Sequence, residues 1–482
     1  MNVSTAWTIG WTLLCIAALP APAVEGAPDD EALKALKKSC GKGVATDCRR
    51  LAERHRDGED AKKDIKAAAS FFKKGCEKND APSCTALGGM RLRGEGGGQK
   101  VKEGVALLEK GCSGKDGPAC VQLGEIHDEG RQVSKDVAKA AGFWEAGCNL
   151  EMFQACGALG SLYERGAPMP RDPQRARALH EKACQGGQAE SCARAGLLLR
   201  ENAADADLRR SADLLKRGCD GGAAAGCFGL GQAHASGRGV AASKAKAQEL
   251  FERACNDDLA EACLALALAL AKDGAKAGRT APLFRKACDG NAVAACFELG
   301  RRYEKANRSV EDLAEAARLY GRACAGDDGR GCHGLGELYL QGRGLHQDTV
   351  LARDQYRRGC ELRNMPACGR LAQLYEEGSG GGTMEQAVEL HGQACEGGVV
   401  RSCFRLARHF EKGSFVRRDP QRAAKHFEQA CSGGHVASCY RLGQLHVAGR
   451  GVTKNIERAR DYFTKACNGG HKEACNLARR YR

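Results

Sequence analysis

Apolar and small side chains recur along this chain in a fixed relation to its cysteines, which come in pairs. Three residues after the second cysteine of a pair comes leucine in eleven of thirteen cases, and the next residue is glycine or alanine in twelve. Seven residues after that cysteine the chain usually carries Tyr, Phe or His, as at Tyr163, Tyr339 and Phe410. Positions three and seven share one face of an α-helix, and the small residue lets a neighbour approach closely. The pattern predicts an amphipathic helix, called here the first helix of each unit.

A second helix is predicted just before the next cysteine pair. A bulky residue lies four residues before the first cysteine of every pair, and alanine usually lies four residues earlier, as in Ala352 and Tyr356. Asp172-Pro173 and Asp419-Pro420 are typical helix starts, because Asp accepts from free backbone N–H groups and Pro suits the first helical position. Each unit is therefore predicted to be an αα-hairpin, with proline only at turns and helix starts.

The cysteines set the period of the array. Each pair has seven residues between its members, and successive pairs are mostly 36 residues apart, with two steps of 35 and one of 33. A fixed period over nearly the whole chain indicates a repeat array. We predict an all-α solenoid of about twelve αα-hairpins of about 36 residues, with local departures at 200–213 and 270–282. The pairs are Cys40 with Cys48, Cys76 with Cys84, Cys112 with Cys120, Cys148 with Cys156, Cys184 with Cys192, Cys219 with Cys227, Cys255 with Cys263, Cys288 with Cys296, Cys324 with Cys332, Cys360 with Cys368, Cys395 with Cys403, Cys431 with Cys439 and Cys467 with Cys475.

Two disulfide pairings are geometrically possible. Cys439 can pair with Cys431 across the short loop, or with Cys467 across the hairpin. The local pairing uses all 26 paired cysteines, whereas the hairpin pairing leaves Cys40 and Cys475 alone. The local interval also never varies, and a disulfide sets strict limits on the distance between its ends. Counting and spacing both favour the local pairing.

The repeat resembles a known family. Leu335 to Gly344 reads Leu-Gly-x-Leu-Tyr-x-x-Gly-x-Gly, and Ala352-x-x-x-Tyr356 follows before Cys360. This pattern resembles the Sel-one-like repeat, and the added cysteine pair in each unit resembles the secreted Helicobacter cysteine-rich proteins. The resemblance implies a right-handed αα-superhelix of tetratricopeptide type, local disulfides and a role as an adaptor. The resemblance also implies a possible activity on β-lactams, because members of the cysteine-rich subfamily are associated with β-lactam binding or hydrolysis.

The amino terminus indicates export. Ala6 to Leu19 is largely apolar, and Ala21-Pro22-Ala23 fits a signal-peptide cleavage site, although residues 1–23 contain no Lys or Arg. We expect a signal peptide over 1–23, a linker over 24–29 and the solenoid over 30–482. Thirteen cysteine pairs agree with an oxidising compartment, the periplasm or the exterior. Cys15, inside the apolar run, follows Leu14, so lipid anchoring is not expected.

The net charge of +14 is spread along the chain without a run of five like charges. We therefore expect a mildly basic solvated surface, a monomer and no nucleic-acid partner. An anionic envelope polymer is a candidate ligand of such a surface. No C-x2-C motif occurs, so neither a zinc site nor any cofactor is expected. No second apolar stretch is long enough to cross a bilayer.

Motifs for catalysis are weak. Ser39, Ser70 and Ser243 each begin an S-x-x-K sequence, the motif in which a lysine helps to activate the serine of penicillin-recognising enzymes, but S-D-N and K-T-G are absent. The histidines mostly occupy repeat positions. A β-lactam hydrolase is therefore the alternative to a binding scaffold, and we assign no catalytic residue.

The surface of the first helices is the candidate binding site for a protein, a peptide or an envelope ligand. Positions one, two and five after the second cysteine are expected to face solvent there, and they vary between units. Arginines and aromatic residues at such positions are typical of interaction surfaces. The predicted partner-binding residues are Arg370, Phe404, Arg405, Tyr440 and Arg441.

Overall fold

A computed structural model describes residues 30–58, 62–166, 169–200, 204–274, 277–306 and 309–481. The chain divides into two compact units, Met1–Asn202 and Ala203–Arg482. The predicted signal peptide (1–23) and linker (24–29) lie outside the described residues. The first unit contains α1 (Asp30–Gly41), α2 (Ala45–Asp57), α3 (Ile65–Glu77), α4 (Ala81–Arg93), α5 (Val101–Ser113), α6 (Gly117–Glu129), α7 (Val137–Asn149), α8 (Phe153–Arg165), α9 (Pro173–Gln185) and α10 (Ala189–Arg200).

The second unit is likewise helical in its described part. Its helices are α11 (Asp205–Asp220), α12 (Ala224–Ser236), α13 (Lys244–Asn256), α14 (Ala260–Lys272), α15 (Ala277–Asp289), α16 (Val293–Ala306), α17 (Val310–Ala325), α18 (Gly329–Gln341), α19 (Thr349–Glu361), α20 (Met365–Glu376), α21 (Met384–Glu396), α22 (Val400–Lys412), α23 (Pro420–Ser432), α24 (Val436–Ala448), α25 (Ile456–Asn468) and α26 (Lys472–Arg480).

The order of the helices confirms the predicted all-α repeat array. Across the described residues no strand occurs, and even-numbered first helices alternate with odd-numbered second helices. In the part of the chain that the structure describes, α1 precedes the series and α26 closes it, so the order there corresponds to twelve pairs of first and second helices between two half-units. The division between the two units falls at 202/203, inside the segment 200–213 that departs from the repeat.

Within each unit, hairpins close by packing a bulky side chain of the second helix on a small residue of the first. Leu123 and Leu159, at the predicted leucine position, are buried. The ring of Trp144 lies so close to Gly124 that an added Cβ would be 2.2 Å from the indole nitrogen. Close packing of this kind leaves no room for a methyl group. The small residue is thus required by the close approach of the two helices.

Helix ends follow the expected signals. Gly94 and Gly449, which follow first helices, have φ of 77° and 68°, the left-handed conformation that glycine adopts without strain. The side chains of Asp172 and Asp419 accept hydrogen bonds at the starts of α9 and α23. One expectation is wrong, because Pro282 lies inside α15. A helix that contains proline lacks one backbone hydrogen bond, and α15 continues past that gap.

All thirteen cysteine pairs form the local disulfide. Each bond joins the end of a second helix to the start of the following first helix, across a loop closed within eight residues. The Cα–Cα distances run from 4.4 Å between Cys219 and Cys227 to 4.8 Å between Cys112 and Cys120, within the normal range. The local pairing is confirmed, and each disulfide fixes one hairpin to the next.

A second link between consecutive hairpins, a hydrogen bond, was not predicted from the sequence. A basic side chain two residues before the first cysteine donates to the carbonyl at the end of the preceding second helix. Lys110 Nζ lies 2.8 Å from the carbonyl oxygen of Cys76, and Lys182 Nζ lies 2.8 Å from that of Cys148. The last carbonyls of a helix lack partners within the helix and carry partial negative charge. The basic residue therefore adds a charged donor from the next repeat to a carbonyl that also accepts from a loop N–H group, that of Asn79 or Glu151.

Candidate functional site

The five predicted partner-binding residues fall into three groups. Arg370 and Arg405, from the first helices α20 and α22, line one cleft. Arg441 lines a separate cleft near the carboxyl terminus, together with Tyr481. Phe404 and Tyr440 are half-buried.

The aromatic rings at the first position serve packing. Phe404 lies 6.0 Å from the ring of Phe427 in the second helix of the same hairpin, and Tyr440 lies 6.0 Å from Phe463. Both also contact a histidine of the following loop, with ring centroids 4.3 Å apart for Phe404 and His435. Their edges remain partly accessible, but much of each ring stabilises the hairpin.

The cleft between α20 and α22 has a volume of about 220 Å³ and lies entirely within the second unit. Sites for drug-sized ligands are usually about 300–1,000 Å³. The cleft therefore has room for one small chemical group. Its lining residues are His333, Pro366, Gly369, Arg370, Gln373, His391, Val399, Arg401, Ser402 and Arg405.

A buried carboxylate lies behind Arg405. Glu376, at the end of α20, has a side chain that is 10% exposed, and its Oε1 is 2.7 Å from His409 Nε2. His391 Nε2 lies 3.3 Å from the same oxygen, and Arg405 forms an ion pair with the other. Burial alone would raise the pKa of Glu376, but the contacts with His391 and His409 and the charge of Arg405 lower it well below its usual range. The carboxylate is thus charged and joins three consecutive helices.

A similar arrangement holds Arg370. Its guanidinium donates to both oxygens of Glu337, at 2.5 Å each, and Tyr356 Oη donates to Glu337 at 2.8 Å. Burial opposes ionisation of Glu337, but these hydrogen bonds and the charge of Arg370 lower its pKa. Burial also lowers the pKa of neighbouring His333. Both arginines are therefore held in place by carboxylates that do not line the cleft.

The first unit repeats this chemistry. His180 Nε2 lies 3.4 Å from Glu164 Oε2, and Arg194 Nη1 lies 3.1 Å from the same oxygen. His180 and His391 occupy the bulky second-helix position, where other units carry Phe, Tyr, Trp or Leu. A sequence signal for these sites exists, because Glu stands eight residues after the second cysteine at 164, 304, 376 and 411. In the first three of these hairpins the second helix carries a polar ring at the bulky position, namely His180, Tyr320 and His391, whereas the fourth carries Phe427. The pairing of a first-helix Glu with a second-helix polar ring is missed when each repeat position is analysed separately.

The three S-x-x-K serines lie on different helices. Ser39 Oγ donates to Asp47 at 2.5 Å, and Ser243 caps the start of α13 by accepting from Lys246 N. Ser70 is exposed on α3, and the lysine of its motif, Lys73, lies 3.9 Å from Glu77. The geometry thus gives Ser39 and Ser243 structural contacts. Within the described ranges, no group of His, Cys, Asp and Glu is placed to hold a metal ion.

Comparison with known proteins gives a family match. The model of the Sel1 repeat matches ten segments, 46–80, 81–116, 117–151, 154–188, 224–259, 293–328, 329–364, 366–399, 400–435 and 436–471. None of the curated proteins matches the chain. Among solved structures, c5321, a protective antigen of uropathogenic Escherichia coli with an SLR fold, is 21% identical, with a TM-score of 0.59 over 93% of this chain and 90% of that one.

Two further solved structures match shorter stretches. Cysteine rich protein B of Helicobacter pylori is 30% identical over 26% of this chain and 91% of its own, with a TM-score of 0.23. A Sel1 repeat protein of Oxalobacter formigenes is 21% identical over 47% of this chain and 99% of its own, with a TM-score of 0.37. The fold similarity to c5321 spans nearly the whole array, and the similarity to the cysteine-rich protein concerns a few repeats.

Proposed function

Because the chain belongs to the Sel1 repeat family, we propose that it is an exported scaffold that binds a protein partner on the surface of its first helices. Proteins of this family are typically scaffolds for protein–protein interaction, and the thirteen disulfides indicate an oxidising compartment outside the cytoplasm. The proposal places the mature chain in the periplasm or the exterior after removal of residues 1–23. No helix in the described part of the chain is long and apolar enough to cross a membrane.

One observation carries the choice of surface. Arg370 and Arg405 occupy equivalent positions in consecutive first helices, and both line the same cleft. Their side chains are 31% and 33% exposed, and each is oriented by a carboxylate behind it. Arginine held in a defined geometry loses little further freedom on binding, which favours its use in recognition. The cleft is thus the position on the first-helix surface that we propose for partner binding.

Site-specific photo-crosslinking tests this surface. A photoreactive amino acid replaces Gln373, which lines the cleft, and in a matched variant it replaces Glu389, which is exposed on the second helix α21. We expect a protein adduct from envelope extracts with the Gln373 variant and none with the Glu389 variant. Equal labelling from both positions, or no adduct from Gln373, contradicts the proposal.

Turnover of a chromogenic cephalosporin tests the enzymatic alternative. We expect no steady turnover by the purified, oxidised protein, since Ser39 and Ser243 form structural hydrogen bonds and Lys73, the lysine of the Ser70 motif, lies 3.9 Å from Glu77. Sustained turnover that disappears in a Ser39→Ala, Ser70→Ala, Ser243→Ala triple variant would overturn the scaffold proposal. Turnover that persists in that variant would overturn it as well and place the reaction elsewhere.

A further inference from the structure

The cleft between α20 and α22 contains hydrogen-bond donors and no acid. Among the described residues that line it, three are arginines, Arg370, Arg401 and Arg405, and none is Asp or Glu. Four other clefts of the structure each include at least one carboxylate, for example Asp47 in one and Glu428 in another. Glu337 and Glu376 neutralise Arg370 and Arg405 from behind. Arg401 has no such carboxylate partner in the described structure, so its positive charge is not neutralised.

Arg401 occupies a position that helix stability does not explain. It is exposed in the first turn of α22, where the helix dipole disfavours a cation. Within the described part of the chain, no carboxylate forms an ion pair with it. The helix also starts without a side-chain cap, since Val399 provides none. The first N–H groups of a helix attract anions. Of the three residues that line the cleft at this helix start, Val399 and Ser402 already donate their N–H groups to Ala394 O and Val399 O, so the N–H group of Arg401 is the one that faces this role.

A buried histidine completes the site. His391 is 1% exposed and lines the cleft. Its Nε2 lies 3.3 Å from Glu376 Oε1, whereas its Nδ1 has no hydrogen-bond partner in the described structure, as is also true of Nδ1 of His180 at the equivalent position of the first unit. A buried polar atom without a partner is costly unless a ligand or water satisfies it. As a residue that lines the cleft, His391 adds a polar ring to its wall.

We propose that this cleft binds a carboxylate of the partner protein, an acidic side chain or a carboxyl terminus, through Arg401, Arg405, His391 and the start of α22. The inference rests on the proposed scaffold function. A carboxylate offers only acceptors, which suits a lining of donors, and arginine can bind it through two parallel hydrogen bonds. The volume of about 220 Å³ fits one such group and excludes a bulky metabolite.

Fluorescence polarisation with defined peptides tests the proposal. The probes are a blocked Gly-Glu repeat peptide, its Gly-Gln counterpart, and a Gly repeat with either a free or an amidated carboxyl terminus. At about 0.1 M ionic strength, charges more than about 10 Å away are largely screened. We expect the Gly-Gln peptide to bind at least about tenfold more weakly than the Gly-Glu peptide, or the amidated Gly repeat to bind at least about tenfold more weakly than the free one. The two comparisons distinguish the side-chain source from the carboxyl-terminal source.

Two charge reversals on α22 supply the matched control. Arg401→Glu is expected to weaken carboxylate binding about tenfold or more, whereas Arg408→Glu, the same change at an exposed position outside the cleft, is expected to change it less than about twofold. Arg401→Gln, a milder change at an exposed position, is expected to lose affinity with an unchanged circular dichroism spectrum. Equal losses from both reversals would show diffuse attraction and overturn the proposal.

Two other results would also overturn it. In the first, no peptide carboxylate binds. In the second, Arg401→Glu abolishes binding of polyphosphate but not of any peptide, which would identify an anionic polymer as the occupant. Crosslinking from Gln373 that persists in either case would leave the scaffold function intact and remove only the carboxylate site.

Discussion

At the scale of single residues, the hairpins depend on pairs of a glycine and a bulky residue. Gly443 faces Phe463 as Gly124 faces Trp144, and a Cβ at Gly443 would lie 2.7 Å from the phenylalanine ring. Glycine within a helix costs about 0.5–1 kcal/mol relative to alanine. The array accepts that cost at these positions because the ring fills the space that a methyl group would occupy.

Substitution of Gly124 by alanine is expected to destabilise the protein by about 1–3 kcal/mol, because the methyl group would overlap the indole ring of Trp144. Gly142→Ala in the adjacent second helix is the control, since a Cβ there meets nothing within 4 Å. It is expected to stabilise by about 0.5–1 kcal/mol through helix propensity. Urea unfolding followed by circular dichroism measures both. A Gly124→Ala variant as stable as Gly142→Ala would refute the close-packing argument.

At the scale of helices, buried carboxylates join three consecutive elements. Glu376 belongs to α20, His391 to α21, and Arg405 and His409 to α22. Hydrogen bonds to a charged group in such a setting contribute more than those between neutral groups. The cluster therefore fixes α20 against α22, the two helices on either side of the cleft.

The stability that Glu376 provides is expected to depend on pH. Its pKa in the folded protein is lower than the value of about 4.3 in an unfolded chain, so its contribution is complete above that value and is lost as the pH falls below it. Glu376→Gln is expected to lower the free energy of unfolding by about 2 kcal/mol at neutral pH. Urea titrations of both proteins at neutral and strongly acidic pH measure the difference, which should shrink in acid. A difference that stays constant would contradict this assignment.

At the scale of the whole molecule, disulfides recur at every junction between hairpins. A repeat array is stabilised by contacts between neighbours, so the effect of one bond should remain local. With five per cent aromatic residues, the chain has few large rings for its core. Thirteen short covalent loops compensate by limiting the freedom of the unfolded chain at each junction.

Removal of one central disulfide tests the local character of the array. The Cys255→Ala, Cys263→Ala variant is expected to lose about 2–3 kcal/mol of stability around α13 and α14, the amount that the chain-entropy model gives for so short a loop. Hydrogen exchange should quicken in those helices and remain unchanged in α24 and α25, which serve as the internal control. Uniform acceleration throughout the second unit would show that it unfolds as one cooperative body.

The repeat could be predicted from the sequence because its signals are local. Leucine spacing, the small residue beside it, the Asp caps and the invariant cysteine interval all act within about ten residues, and each appears in the structure where it was expected. The disulfide pairing could also be predicted by counting the cysteines that each pairing uses. The constant interval between the two cysteines of a pair agrees with the narrow range of distances that a disulfide allows. Pro282 was the exception, because whether a helix continues past a proline depends on the packing around it.

The cleft could not be predicted in the same way. The sequence singled out Arg370 and Arg405, but only the folded chain shows that Glu337 and Glu376 hold them and that Arg401 and His391 complete the lining. Those residues are spread over the four helices α18, α20, α21 and α22, from position 337 to position 405, and each reads as an ordinary surface or core residue alone. The sequence determined the hairpins and their junctions, because backbone propensity and a fixed period are properties of neighbouring residues. The charged cluster was decided by packing between helices, because burial and the direction of a side chain arise only when the helices meet.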